Sequence, residues 1–261
     1  MEINPTVTLE NLGGKGYHLN LLRDICNVPE FFVIRFDDLQ EIDDEIIQNQ
    51  ILNYYNENEY GLVSVRSSAT VEDGEESSFA GMFDSILNVR KEGLIPAIKE
   101  VVDSVKGQRV VDYCKLKEID YDQVAMRVVV QKMVIPRVAG VCFTKTSNSN
   151  EKMVIEACFG LGEALVSGKV TPDNYMVDRN MLSIENVSIG FQKIMLKQNE
   201  YEDVPFHKRN AKKLSDTEIE ELAKVSLHIE ENLSYDAVDI EWAYEGSKLY
   251  ILQARAFTGI N

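Results

Sequence analysis

Apolar residues recur along this chain at helical spacing in parts of the first half and in short β-branched, strand-like runs in much of the second. Leu19, Leu22 and Ile25 follow a predicted loop, Asn11-Leu12-Gly13-Gly14-Lys15-Gly16, at helical spacing and predict a short amphipathic helix. A strand is predicted over 30–35, and the acidic stretch 37–59 reads as a polar surface helix with a loop. A strand over 62–66 leads into a small, acidic loop over 67–81, and another strand covers 85–89. Leu94, Ile98, Val101, Val102 and Val105 predict one helix over 94–115. Beyond it, β-branched runs predict short strands over 124–134, 139–144 and 153–157, with turn signals at Pro136 and Ser147-Asn148-Ser149-Asn150. Residues 159–169 read as loop. Ser215-Asp216-Thr217-Glu218 is a capping box opening a helix that turns Ile219, Leu222, Ala223, Ile229 and Leu233 inward. Strands over 237–243 and 249–254 close the chain around a turn at Glu245-Gly246-Ser247. The order lacks the strand–helix alternation of a doubly wound sheet and predicts an α+β architecture of two lobes, with short and largely antiparallel strands.

Composition narrows the function. With 44% hydrophobic and 27% charged residues, the 261-residue chain has the makings of a real core. Its net charge of −16 repels nucleic-acid backbones and anionic membranes, and no basic run interleaved with aromatics offsets it. A nucleotide is not excluded, because a few cations, backbone amides and Mg2+ can reverse the field locally. Cys26, Cys114, Cys142 and Cys158 form no CxxC pair, so neither a zinc site nor a disulfide framework is supported. The N-terminus lacks a secretory pattern and no apolar run reaches the roughly 20 residues of a membrane helix. A cytoplasmic protein is expected.

Five segments could carry chemistry. Gly13-Gly14-Lys15-Gly16 offers backbone approach and a point charge for phosphate, but it is not a Walker A loop and reads equally as a helix-start turn. Arg66, closing an apolar strand before Ser67 and Ser68, suits bidentate anion binding or a plain salt bridge. The strand end Gln131-Lys132-Met133-Val134 could read an adenine edge, or simply stop a core strand. Glu156 precedes Gly160-Leu161-Gly162, where a carboxylate can position a metal or substrate. Asp239 and Glu241 share one face of a strand, as do Gln253 and Arg255 on the next; paired, they offer hard oxygens for Mg2+, or merely a solvated sheet face. His18, His207 and His228 stand in no triad pattern.

In this order, the segments resemble the N-terminal nucleotide-binding domain of the pyruvate phosphate dikinase and phosphoenolpyruvate synthase family, which includes rifampin phosphotransferase. The resemblance rests on Val65-Arg66-Ser67-Ser68-Ala69-Thr70-Val71-Glu72-Asp73 with Ser78-Phe79-Ala80-Gly81, on Gly160-Leu161-Gly162-Glu163 with Val170-Thr171-Pro172-Asp173, and on Asp239-Ile240-Glu241-Trp242-Ala243 with Leu252-Gln253-Ala254-Arg255. It implies one ATP-grasp domain over 1–261, with a first lobe of about 1–190 and a second of about 191–261, holding ATP and Mg2+. By similarity, Lys15, Arg66 and Arg255 act on the phosphates, and Gln131, Lys132, Met133 and Val134 line the adenine pocket. Glu156 and Asp239 complete the nucleotide site, and Glu241 and Gln253 take the metal. The resemblance further implies transfer of the β-phosphoryl group to a histidine on a swivelling domain. The chain stops at Asn261, where such a domain would begin, and Ala256 stands where the family usually has proline. The expected function is therefore the ATP-dependent part of a phosphotransferase whose phosphohistidine carrier and acceptor domain lie on a separate domain or chain. The alternative is a stand-alone small-molecule kinase or ATP-dependent ligase.

Overall fold

Antiparallel pairing organises both halves of the chain in the computed structural model, which describes residues 1–70, 85–116, 125–146 and 149–257. The predicted loop beyond Thr70, with Glu72-Asp73 and Ser78-Phe79-Ala80-Gly81, lies outside the described residues, as do Ser147 and Asn148. Contacts divide the chain into two units, Met1–Asn20 with Pro29–Met133, and Leu21–Val28 with Val134–Asn261. The division falls at residue 133 rather than near 190, because strands from 138 onward pair with the C-terminal strands and not with the preceding ones.

The first unit holds β1 (Glu2–Ile3), α1 (Leu9–Leu22, its last two residues grouped with the second unit), β2 (Phe31–Arg35), α2 (Glu45–Glu57) and β3 (Val63–Ala69). It continues with β4 (Ser85–Val89), α3 (Lys91–Ser104), α4 (Gln108–Leu116) and β5 (Met126–Lys132). The sheet order is β1-β2-β5-β3-β4. Phe32, Ile34, Val63, Val65, Val128 and Val130 alternate onto one face, where Leu94, Ile98 and Val101 of α3 and Ile51 and Tyr55 of α2 pack. The opposite face carries Ser64, Arg66 and Ser68 beside Gln131, Val129 and Arg127. Here α1 lies close, since a Cβ on Gly16 would stand 3.1 Å from Val33 and 3.5 Å from Val129.

Three expectations for this unit need correction. Residues 11–16 are not a loop but part of α1, whose start is fixed by the Thr8 hydroxyl accepting from the Asn11 amide at 3.2 Å. Ser67, Ser68 and Ala69 belong to β3 rather than to the following loop, because their backbones pair with Val128, Arg127 and Met126 of β5. The single helix over 94–115 is two, α3 and α4, interrupted at Gly107, a poor helix residue whose amide turns back to Ser104.

The second unit contains β6 (Val138–Phe143), β7 (Lys152–Phe159), α5 (Glu163–Val166), β8 (Asp173–Asp178), β9 (Ile184–Ser188), β10 (Ile194–Lys197) and β11 (Glu200–Asp203). It ends with α6 (Asp216–Leu233), β12 (Val238–Glu245) and β13 (Lys248–Ala256). Six strands form one sheet in the order β13-β12-β6-β7-β8-β9, and β10-β11 is a separate hairpin. Ile240, Trp242, Cys142, Ile155 and Tyr175 face Ile219, Leu222 and Ile229 of α6. The capping box is present in full: the Ser215 hydroxyl accepts from the Glu218 amide, and the Glu218 carboxylate accepts from the Ser215 amide at 2.8 Å. Gly140 is required under Trp242, for a Cβ there would meet Glu156 O at 1.8 Å and the indole ring at 2.9 Å. Four strands, β8 to β11, were not anticipated, and 163–166 is a short helix rather than loop.

A fully buried ion pair holds the segment between β9 and α6. Lys213 Nζ donates to Asp173 Oδ1 at 2.6 Å and to the Gly190 carbonyl at 3.0 Å, with both side chains 0% exposed. Asp173 also accepts from the Gly190 and Lys213 amides and from the Tyr175 hydroxyl, so every lone-pair direction is used. Removing one partner leaves a buried, uncompensated charge. Asp173→Ala is therefore expected to destabilise the protein by about 3–5 kcal/mol in urea denaturation, and Asp173→Leu combined with Lys213→Met by much less.

Burial pushes the thiols of Cys26, Cys142 and Cys158 up to about 12 from the ordinary value of 9.0. Between those values the unfolded chain releases protons that the folded chain keeps, so this contribution is complete below about pH 9 and is lost as pH rises. The two deeply buried thiols, Cys142 and Cys158, each weaken the fold by about 1.4 kcal/mol per pH unit in that window, and the half-buried Cys26 by less. Thermal melts from about pH 8 to about pH 10.5 should show a falling Tm, and Cys142→Ala should flatten the decline.

Candidate functional site

In the second unit the face opposite α6 is half-buried and polar, and register decides what it displays. Asp239 pairs directly with Arg255 and Glu241 with Gln253 across β12 and β13. On its other side Glu241 opposes Val141, which in turn opposes Glu156, which opposes Asn174. One row across four neighbouring pairs thus reads Gln253, Glu241, Val141, Glu156 and Asn174. The two glutamates are two strand spacings apart, roughly 10 Å at the backbone, and Asp239 lies one pleat along, roughly 7 Å.

Several polar groups on this face are held by neighbours. Arg255 donates twice to Asp239 Oδ2, from Nε at 3.0 Å and Nη2 at 2.6 Å, which fixes the guanidinium on the face. Asn174 Nδ2 donates to Glu156 Oε1 at 3.4 Å. Gln253 is 4% exposed, so its amide is held against the sheet beside Glu241.

The row ends in an apolar patch. Ala139 and Ala243 share the face and cluster with Val134, Tyr250 and Leu252. A β-bulge makes this possible: Glu241 opposes Gln253 but Trp242 opposes Ile251, so Leu252 is the extra residue and Tyr250 joins Gln253 and Arg255 on one side. Val134 also lines a cleft of about 450 Å3 within this unit, walled by Pro136, Leu161 and Leu196 and rimmed by Lys197 and Glu200 of the β10-β11 hairpin.

The first unit gathers three of the other expected residues. Arg66 Nη1 donates to Gln131 Oε1 at 3.1 Å, and both side chains are buried on the face that α1 covers. Gln131 Nε2 is buried there with no hydrogen-bond partner among the described residues, a donor available to a ligand. Lys15 is buried on α1, which the Ser68 hydroxyl ties to β3 by accepting from the Gly16 amide at 3.0 Å. Lys132 alternates to the other side of β5 and reaches Glu30 at 3.3 Å. The amides of Lys132 and Met133 are engaged by the carbonyls of Glu30 and Leu62 at 2.8 Å, so this strand end has no spare donor at those two positions.

Among the described residues no three His, Cys, Asp or Glu side chains are grouped to hold a metal ion unaided. The cross-strand pair Glu241 and Gln253 brings two oxygen-bearing side chains to neighbouring positions, in keeping with the one or two protein oxygens that Mg2+ takes before phosphate and water complete its shell. No described helix is long and apolar enough to cross a membrane. Sequence reading placed Ser68 beside Arg66 but did not foresee its contact with α1, and it missed Asn174, which directly follows the Val170-Thr171-Pro172-Asp173 segment of the family resemblance.

Comparisons with known proteins bear on this geometry. Residues 41–261 match the family described as pyruvate phosphate dikinase, AMP/ATP-binding domain. A probable phosphoenolpyruvate synthase of Archaeoglobus fulgidus is 44% identical over 204 residues, 76% of this chain and 27% of that protein. A rifampicin phosphotransferase of Bacillus cereus is 36% identical over 222 residues, 82% of this chain and 25% of that protein. Among solved structures, a D-alanine–D-alanine ligase of Bacillus anthracis aligns over 97% of this chain and 57% of its own, at 11% identity and TM-score 0.45. The chain thus spans about a quarter of the length of these two curated relatives.

The bidentate Asp239–Arg255 pair yields a prediction. Asp239→Asn and Arg255→Lys each lose part of the two-bond geometry and are expected to lower unfolding free energy by about 1–2 kcal/mol. Guanidinium denaturation of the two variants against wild type measures it.

Proposed function

The chain belongs to the pyruvate phosphate dikinase AMP/ATP-binding domain family, and we propose that it is a Mg2+-dependent phosphotransferase domain that activates ATP for phosphoryl transfer to a histidine on a separate domain or chain. The observation that carries this reading is the cross-strand pairing of Glu241 with Gln253 and of Asp239 with Arg255. It sets hard oxygens beside an oriented guanidinium, the groups that a polyphosphate and its cation require.

In this reading Glu241 and Gln253 hold Mg2+, which when bound neutralises phosphate oxygens and withdraws charge from the bridging position. Arg255 donates to a phosphoryl oxygen, its direction set by Asp239. Lys15 and Arg66 supply further cations to the phosphates, and Glu156 with Asn174 orients the polar end of the nucleotide. Gln131 offers its buried amide donor to the base. Val134 and Met133 give the base apolar contact, with Lys132 holding their strand end in place through Glu30. Phosphoryl transfer needs cations on the transferred group more than a protein base, which agrees with a face holding carboxylates, amide and guanidinium but no histidine.

A histidine carrier on a separate domain or chain is consistent with relatives about three times as long, and a cytoplasmic setting suits an ATP-consuming enzyme. ATP would yield AMP, the β-phosphoryl group passing to the carrier histidine and the γ-phosphoryl group to water, giving phosphate, or to phosphate, giving pyrophosphate.

Calorimetric titration of Mg·ATP into wild type and Glu241→Ala, followed by 31P analysis of products, tests the reading. Binding should require Mg2+ and weaken at least about tenfold in the variant, equivalent to ~1.4 kcal/mol. ATP should persist until a histidine-bearing partner is added. Unchanged affinity in Glu241→Ala refutes the site, and ATP turnover with a small acceptor alone would favour the direct kinase or ligase.

A further inference from the structure

Within α1 the chain departs from helical geometry at Gly13, with φ 67° and ψ 174°. In a regular helix the Gly16 amide donates to the Leu12 carbonyl, four residues back. Here both groups are engaged instead by one side chain from β3. The Ser68 hydroxyl accepts from the Gly16 amide at 3.0 Å and donates to the Leu12 carbonyl at 2.7 Å. It stands where the helix's own hydrogen bond would be and satisfies both of its ends. Ser68 is 0% exposed, so neither group has water as a substitute partner.

The backbone fits the same contact. A Cβ on Gly13 would lie 2.0 Å from the Ser68 carbonyl oxygen, so only glycine lets the kink press against β3. Lys15 and Gly14 lie between the kink at Gly13 and the clamped Gly16 amide, so the direction of Lys15 follows from where the clamp holds α1. Ser68 and Arg66 are two apart on β3 and share a face. One hydroxyl therefore sets the register of Lys15 against the strand that carries Arg66.

We propose that Ser68 is a positioning residue for phosphate binding, acting through Lys15 by replacing the missing helical hydrogen bond at the Gly13 kink. The proposal rests on the reading of Lys15 as a phosphate ligand. It adds a cause for the Gly13-Gly14-Lys15-Gly16 sequence: the glycines serve a helix kink seated on a serine rather than a loop wrapped around phosphate.

A double-substitution cycle on the whole chain tests it, with Mg·ATP affinity read by calorimetry for wild type, Ser68→Ala, Lys15→Ala and the pair. Ser68→Ala should weaken binding about fivefold or more, and in the Lys15→Ala background the same change should cost less than about twofold. A purely structural role would move the melting temperature and leave the two effects on affinity multiplicative. Wild-type affinity in Ser68→Ala, or multiplicative effects, overturns the inference while leaving the Lys15 assignment standing. Unchanged affinity in Lys15→Ala overturns that assignment and the inference with it. Should Ser68→Ala fold poorly, Ser68→Cys keeps the side-chain size with a weaker donor and should show the same coupling at smaller amplitude. The Gly16 amide should exchange faster with solvent in either variant, and unaltered protection overturns the clamp.

Discussion

The register of β12 between β6 and β13 is the constraint on which the second unit's chemistry depends. Strand side chains alternate with period two, so a slip by one residue would bury Asp239 and Glu241 under α6 and expose Ile240 and Trp242. The apolar side makes that slip costly. Ile240, Trp242 and Tyr244 are fully buried, and Trp242 fits only above the missing side chain of Gly140. The carboxylate row is thus held in place by packing on the other side of the same strand. The bulge opposite Trp242 adds what regular alternation could not, an apolar residue, Tyr250, on the same side as Gln253 and Arg255.

Both sheets divide labour in the same way. One face is apolar and packs against helices, α3 and α2 in the first unit and α6 in the second. The other face carries the charged and amide groups. Arg66 donates to the Gln131 amide oxygen, and Arg255 donates twice to one oxygen of Asp239. Lys213, by contrast, is consumed entirely by Asp173 and Gly190 inside the fold, as befits a structural ion pair.

The α+β class, the core-facing positions of α6, its capping box and the shared faces of Asp239/Glu241 and Gln253/Arg255 were all legible, because each rests on local periodicity or a four-residue motif. What stayed hidden depends on contacts distant in sequence. Strands β8 to β11 carry mixed polar residues, and β9 and β11 are mostly exposed, so no apolar alternation announces them. Ser67 to Ala69 read as loop because small hydroxyl residues favour turns, yet pairing with β5 draws them into a strand. The glycines at 13 and 16 read as loop for the same reason. Ser68 lies 52 residues from Gly16 and Lys213 40 from Asp173, separations over which no spacing rule operates.

The two units therefore hold their functional groups by different means, with different consequences. Glu241 and Gln253 inherit their positions from a sheet backed by a large apolar core, so a disturbance there must first disrupt packing spread over many side chains. Lys15 takes its direction from a kink closed by one buried hydroxyl, two hydrogen bonds and a contact only glycine permits. The first arrangement couples site geometry to global stability. The second concentrates the dependence on one hydroxyl, whose loss leaves the buried Leu12 carbonyl and Gly16 amide without that partner while β3 stays paired with β5 throughout its length. A fold that fixes carboxylates through its core and a lysine through one hydroxyl can thus change the lysine's direction at α1 without disturbing the face that carries Glu241 and Gln253.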